Sequence, residues 1–400
     1  MKKYMCWLGL LAVLFASPAY AVNQEIRALF RPDPAQPNKN VFVNQTPNSG
    51  YCAEYPGECA SNGMFSIQLP LRFTSSRPLN LGAGVYILVP VSWRSLTVTN
   101  VETLKTETVE VRFVGVGSKY ILSHTAASLT GAANDREAHQ KLWVGSSWNY
   151  APAPCQYSGV GAFGADTYRF FWKTPQHAHC GKQNYVTIPG ITFENLDFAY
   201  ELRTPNPLGM RNGLYKGSLT YSVAHGGDID LGPALVPSDS SLTLDFVLEV
   251  QHTLKVELPP GGNRVVLEPA GGWQPWIEGG RKPDRIYRAA PFYISASTPF
   301  KVSMLCDAAS SSRCNLRSPS GNVTQVGVKI RMPPGFGLPD DYEQPLALHA
   351  WFNYWPSQYV DRQEGAVIFE MPKDVIDKLL VPGFSDTFYG DITIIWDSEA

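Results

Sequence analysis

The residues best equipped for chemistry are few and scattered. His177-Ala-His179-Cys180 sets two imidazoles two positions apart. On a strand such residues share a face, so the His177/His179 pair could hold zinc with a third ligand from His124, His139 or His225. Two ligands are an incomplete set, and the competing reading is a polar loop beside a disulfide. Gly159-Val-Gly-Ala-Phe-Gly164 has the spacing of a dinucleotide-binding turn. It runs into the alternating segment Tyr168–Trp172, where such a site needs a helix. There is no nucleophile elbow, no zinc-protease motif and no phosphate loop, and no spacing singles out a pair of carboxylates. The sequence therefore reads as a binding protein without a cofactor and not as an enzyme. A secreted carbohydrate-active enzyme is the rival that release of reducing ends from polysaccharides would reveal.

Sugar-binding chemistry is better represented. Trp143, Trp148, Tyr150, Tyr157 and Tyr168 lie within one stretch. Aromatic rings cover the apolar faces of sugars while polar side chains bond the hydroxyl rims. Ser147-Trp-Asn-Tyr-Ala-Pro-Ala-Pro-Cys155 reads as a loop, because prolines and small residues break a strand. The first ligand-binding candidates are Trp148, Asn149, Tyr150 and Tyr157. Lys182 and Asn184, just past Cys180, come second. The competing reading for each ring is core packing. A later run, Trp351-Phe-Asn-Tyr-Trp355, reads as structural, with Trp351, Asn353 and Trp355 on one strand face. No adjacent-arginine segment follows Val223.

The elements that must position these residues are strands. The chain has 32 prolines, 34 glycines and many short alternating runs. Ser66–Phe73 and Val109–Phe113 alternate, and Tyr168, Phe170 and Trp172 share a face of a third run. Short strands between turn signals imply sandwiches. Asn134–Leu142 and Pro372–Leu380 are expected to form short helices. Residues 1–21 read as a signal peptide: Lys2 and Lys3, an apolar run from Trp7 to Phe15, then Ala19-Tyr20-Ala21. Its removal leaves 379 residues with a formal charge of −4, which disfavours a nucleic-acid partner. Six cysteines remain, as suits an oxidising compartment. Short loops close most readily, which favours Cys52–Cys59, Cys155–Cys180 and Cys306–Cys314.

An internal echo organises the chain. Tyr215-Lys-Gly-Ser-Leu-Thr-Tyr-Ser-Val223 and Phe388-Tyr-Gly-Asp-Ile-Thr-Ile-Ile-Trp396 share one pattern of aromatic, Gly, aliphatic, Thr and apolar positions, 173 residues apart. That offset is about one domain length. After the first copy comes Leu242-Thr-Leu-Asp-Phe-Val-Leu-Glu-Val250, whose alternate residues form an unbroken apolar face. After the second copy only four residues follow. Two related domains, 22–250 and 251–400, would thus differ by one strand. The second would keep an open groove and an unpaired edge at Gly390, Ile392, Ile394 and Trp396, to be filled by β-augmentation.

This layout resembles the two-domain tip adhesins of chaperone–usher fimbriae. The segments Gly213–Val223 and Tyr389–Trp396 are similar to those at corresponding places in colonisation-factor pilus adhesins. The resemblance implies an all-β fold of two immunoglobulin-like β-sandwich domains in tandem. The first would be a receptor-binding domain for a host glycan or glycoprotein. The second would be a pilin domain completed by a donor strand. It further implies a periplasmic pilus chaperone, an outer-membrane usher and a neighbouring pilin subunit as partners, with export through the periplasm to the fimbrium tip. Val22–Pro37 would make a poor donor because Pro32, Pro34 and Pro37 each remove a ladder donor. A minor pilin that caps or initiates the fibre without a receptor is the alternative.

Overall fold

The computed structural model describes residues 21–157, 159, 161–175, 179–310 and 312–398. All of the signal reading but Ala21, and His177 of the candidate metal pair, fall outside them. The protein is all-β, with a few short helices.

Two hydrophobic cores divide the chain. The first draws residues from Val22 to Val250 and the second from Leu254 to Trp396. Around the first core runs one curled sheet. The first strand, Val22–Phe30, lies parallel to the closing strand Ser241–Val250, and Ile26, Ala28 and Phe30 are buried there. The closing strand alternates without a break, its even-numbered residues buried. Such period-two burial is what one covered sheet face requires.

The hub of this sheet is the 17-residue strand Thr106–Leu122. Its odd positions 109, 111 and 113 face inward, then Gly115–Ser118 are buried on both faces, then Tyr120 and Leu122 face inward. The phase flips beside a register shift at Ala199/Tyr200 on the paired strand. That is why alternation in the sequence marks only Val109–Phe113. The neighbouring strand Thr167–Lys173 is also covered on both faces. Tyr168, Phe170 and Trp172 join the main core, while Phe171 joins a satellite of Tyr51, Cys52, Cys59 and Ala199. Between them Arg169 is buried 2.7 Å from the carboxylate of Asp197. Burial pushes Asp197 up to about 6 against the pull of that guanidinium.

The second unit packs two sheets. In one, Leu254–Glu257, Ile286–Ala296, Val360–Met371, Val323–Arg331 and Arg313–Arg317 lie side by side. The other has three strands: Phe352–Tyr354, Phe300–Cys306 and Ile392–Ser398. Phe352 and Tyr354 pack inward, leaving Trp351 and Trp355 exposed on the outer face with Asn353. The two expected helices form as Asp135–Leu142 and Lys373–Leu379. Asn134 caps the first by accepting from the Glu137 N–H, and Pro372 immediately precedes the second. All three short-range disulfides are present. At the junction, His252 bonds the Met210 carbonyl on one side and the Ser297 hydroxyl on the other, so no free linker separates the units.

Candidate functional site

The two echo segments fold alike but end in different surroundings. Gly213–Ser222 has neighbours on both edges. Arg94–Asn100 meets it at Tyr215 and Lys216, and Ser241–Val250 pairs with all ten of its residues. Its two inward aromatic side chains are sealed: Tyr215 is 1% exposed and Tyr221 0%. Ile392–Ser398 pairs only with Phe300–Cys306. Among the described residues no strand takes its other edge. The counterparts of these two residues, Phe388 and Ile394, pack against the second core but stay half-buried, as does Trp396. Trp396 leans on Phe292 and Phe300, at ring separations of 5.0 and 5.9 Å.

Both glycines of the echo have the same physical cause. A Cβ on Gly217 would collide with the carbonyl of Thr97 on the neighbouring strand. A Cβ on Gly390 would lie 2.9 Å from the carbonyl of Asn315. In each unit a neighbouring backbone presses against this position, and only glycine admits it.

Beside the open edge lies a groove of about 1040 Å³. Its lining includes the apolar side chains of Ile286, Leu316, Val326, Phe369 and Met371. Gly390, Asp391 and Ile392 line one side, and Val266, Trp273 and Trp276 the rim. A groove with apolar side chains in its lining, next to unpaired backbone N–H and C=O groups, can receive an extended chain. Of the expected acceptor residues, Gly390 and Ile392 line the groove directly, and Ile394 and Trp396 continue the same inward face.

The aromatic-loop candidates are not brought together. Trp148 is fully buried, stacked on Trp172 at 4.9 Å and ringed by Trp143, Phe170 and Phe193. The loop turns its largest ring into the core, so Trp148 has no face for a ligand. Lys182 is buried and donates to the carbonyls of Gly145 and Ser146, both at 3.1 Å; desolvation lowers its pKa to about 8. Asn184 is buried and spends its amide on the carbonyls of Leu79, Asn80 and Val186 and on the Gly84 N–H. These three residues hold loops in place. Asn149 is half-buried. Tyr150 and Tyr157 are exposed, but Tyr150 lies toward Tyr168 and Tyr157 toward Tyr51, at opposite ends of the strand Thr167–Lys173.

His179 is exposed, and the proposed third ligands have other partners: His124 with Ser123, His139 with Tyr120 and Gly164, His225 with Asp230. Among the described residues no three His, Cys, Asp or Glu side chains cluster as a metal site would need.

A second depression, of about 520 Å³, escaped sequence reading. Arg72 and Arg77 border it with Thr74, Ser75, Ser123 and Thr192, and Glu194 closes one side. Both arginines are exposed. Such a site offers cations and hydroxyls to a polar, acidic or sugar-like ligand. The local signal was a pair of arginines bracketing Thr74-Ser75-Ser76, but the groove forms only when residues 121–123 and 189–194 join it.

No family model matches the chain, and no curated protein does. Several solved structures are similar to it over nearly the whole length, among them three chaperone–usher examples. The adhesive subunit CfaE of CFA/I fimbria from enterotoxigenic Escherichia coli shares 9% identity, over 95% of this chain and 94% of that one, with a TM-score of 0.28. A chaperone–tip adhesin complex of CFA/I fimbriae gives 12%, 95%, 97% and 0.27 for the same quantities. The CsuC–CsuE chaperone–tip adhesion subunit complex of Acinetobacter baumannii gives 10%, 95%, 99% and 0.23. These superpositions are poor over the full length.

Proposed function

We propose that this protein is the tip adhesin of a chaperone–usher fimbria, with residues 22–250 as the receptor-binding domain and 251–400 as a pilin domain. The observation that supports this reading best is the asymmetry of the two echo strands. One is closed by Ser241–Val250; the other faces a groove with no second strand beside it among the described residues. A periplasmic chaperone would shield that edge, and a neighbouring pilin subunit would fill it at the outer-membrane usher. The first strand supports a terminal place in the fibre. Val22–Phe30 is paired along nine residues with its own closing strand and is not free to be donated. The chain is read as binding without turnover, at the cell surface.

For the receptor, a host glycan or glycoprotein, the groove of Arg72 and Arg77 replaces the aromatic loop as the first candidate. Its exposed arginines and neighbouring hydroxyls suit a polar or acidic sugar, with Tyr150 and Asn149 as an outlying alternative. The test is adherence by bacteria carrying Arg72→Ser and Arg77→Ser together, with fibres counted by electron microscopy. Lost adherence with undiminished fibres is expected. Full adherence after deletion of the whole subunit would leave it a capping pilin instead.

A further inference from the structure

The closed unit shows what a filled edge looks like, and this inference rests on the strand-accepting reading above. Ser241–Val250 runs antiparallel to Gly213–Ser222. Leu242 stands opposite Tyr221, Leu244 opposite Leu219, Phe246 opposite Gly217 and Leu248 opposite Tyr215. All four closing-strand residues are buried. Gly217 contributes no side chain, and the buried Phe246 is its register partner. The outward positions are matched as well. Thr220 and Thr243 share a hydrogen bond of 2.9 Å, and Ser218 donates to the Asp245 carboxylate at 2.6 Å.

Carried across by the offset of 173, the inward partners on the open edge are Ile394, Ile392, Gly390 and Phe388. These keep the sequence of apolar, aliphatic, glycine and aromatic. The outward positions differ more: Lys216 becomes Tyr389, Ser222 becomes Ile395, and one position gains an acidic charge. Ser218, which donates to a carboxylate, is replaced by Asp391, which is one. Asp391 is exposed at the margin of the groove and makes no ion pair or side-chain hydrogen bond among the described residues. Like charges directly opposite on paired strands are destabilising, and opposite charges stabilise.

We propose that Asp391 is a specificity determinant of the open edge. It selects an antiparallel strand that carries Lys or Arg opposite itself and, in the next position, a large apolar side chain opposite Gly390, with aliphatic residues opposite Ile392 and Ile394. The occupant is therefore an extended segment of another polypeptide with alternating apolar residues and a cation at one outward position. The same residue rejects the closing strand of a second copy of this chain. That strand fits every inward position, but it would set Asp245 against Asp391. An unpaired edge is exposed to such self-pairing, and one misplaced charge is an economical guard.

The test uses the chain from residue 22 to 400 and three synthetic ten-residue peptides. The first has the sequence of residues 241–250. The second carries Asp245→Lys, and the third Asp245→Lys with Phe246→Ala. Binding is measured by fluorescence polarisation at low and high salt. The lysine peptide is expected to bind about tenfold tighter than the unmodified one, with the advantage shrinking as salt rises. Asp391→Lys in the protein should reverse the preference. Loss of the phenyl ring should weaken binding by at least about tenfold. Equal binding of the aspartate and lysine peptides, a preference that Asp391→Lys leaves in place, or indifference to the ring would each overturn the proposal while leaving the strand acceptor intact. Failure of all three peptides to bind either protein would remove the strand acceptor itself, and this selectivity with it.

Discussion

Replacing Trp148 separates a core role from a ligand role cleanly. Its side chain is fully buried among five aromatic rings, those of Tyr120, Trp143, Phe170, Trp172 and Phe193. Truncating such a residue to alanine costs about 3 to 5 kcal/mol. In a domain of this size each kcal/mol lowers Tm by roughly 2 to 4 °C, so Trp148→Ala should lower the transition of the first domain by about 6 to 20 °C. Trp148→Phe should behave differently. The indole N–H is buried without a hydrogen-bond partner among the described residues. Removing it relieves an unsatisfied donor, worth about 1 kcal/mol or more, and offsets part of the roughly 2 kcal/mol lost with the second ring. The net cost should be near 1 kcal/mol. Thermal unfolding of the full chain, followed by near-UV circular dichroism, measures both variants beside an adherence assay. If Trp148→Ala abolished adherence while Tm moved by less than about 2 °C, the ring would be a ligand contact and the packing reasoning would be wrong.

Other consequences can be checked in the same preparations. His139 is buried, its Nε2 against the Gly164 carbonyl and its Nδ1 against Tyr120 Oη, both at 2.9 Å. Burial lowers its pKa despite Asp135 and Asp166 nearby. Below the ordinary histidine range of about 6.5 the unfolded chain takes up a proton that the folded chain resists, so stability falls as pH falls. Tm measured from pH 7 to pH 5 should therefore drop more steeply for the native chain than for His139→Gln, and parallel curves would refute the assignment. Gly217→Ala should destabilise the first unit by about 1 to 3 kcal/mol or more through its clash with Thr97. Gly390→Ala should do the same to the second unit, and an unchanged denaturation midpoint for either would contradict the close approach. Removing Cys155–Cys180, which closes a 25-residue span, should cost about 3 kcal/mol, read as a lower urea midpoint.

What could be read from the sequence was what local chemistry decides. The closing strand announces itself because every second residue from Leu242 to Val250 is apolar and one sheet face is covered. The helix Asp135–Leu142 announces itself through the Asn134 cap, and the disulfides through short spacing. The echo was legible because glycine is required where a neighbouring backbone presses on the strand. Other features depend on where distant segments meet. Prolines marked the Trp148 loop but could not say that its ring points inward. Lys182 and Asn184 bond backbone carbonyls, which every residue carries, so their structural role leaves no mark in the sequence. Trp351 and Trp355 do share a strand face, but alternation cannot say which face is covered, and theirs is the outer one. The groove of Arg72 and Arg77 is assembled from three separated stretches and has no local signature.

The most direct test of the central claim is to export residues 22–250 and 251–400 separately to the periplasm without any pilus chaperone, and to follow soluble yield and thermal unfolding. Residues 22–250 should fold alone. Residues 251–400 should accumulate and unfold cooperatively only when a peptide from a shaft pilin's N-terminus is supplied. Cooperative unfolding of 251–400 unaided would mean that no strand is missing from the second unit, and the fimbrial reading would lose its physical basis.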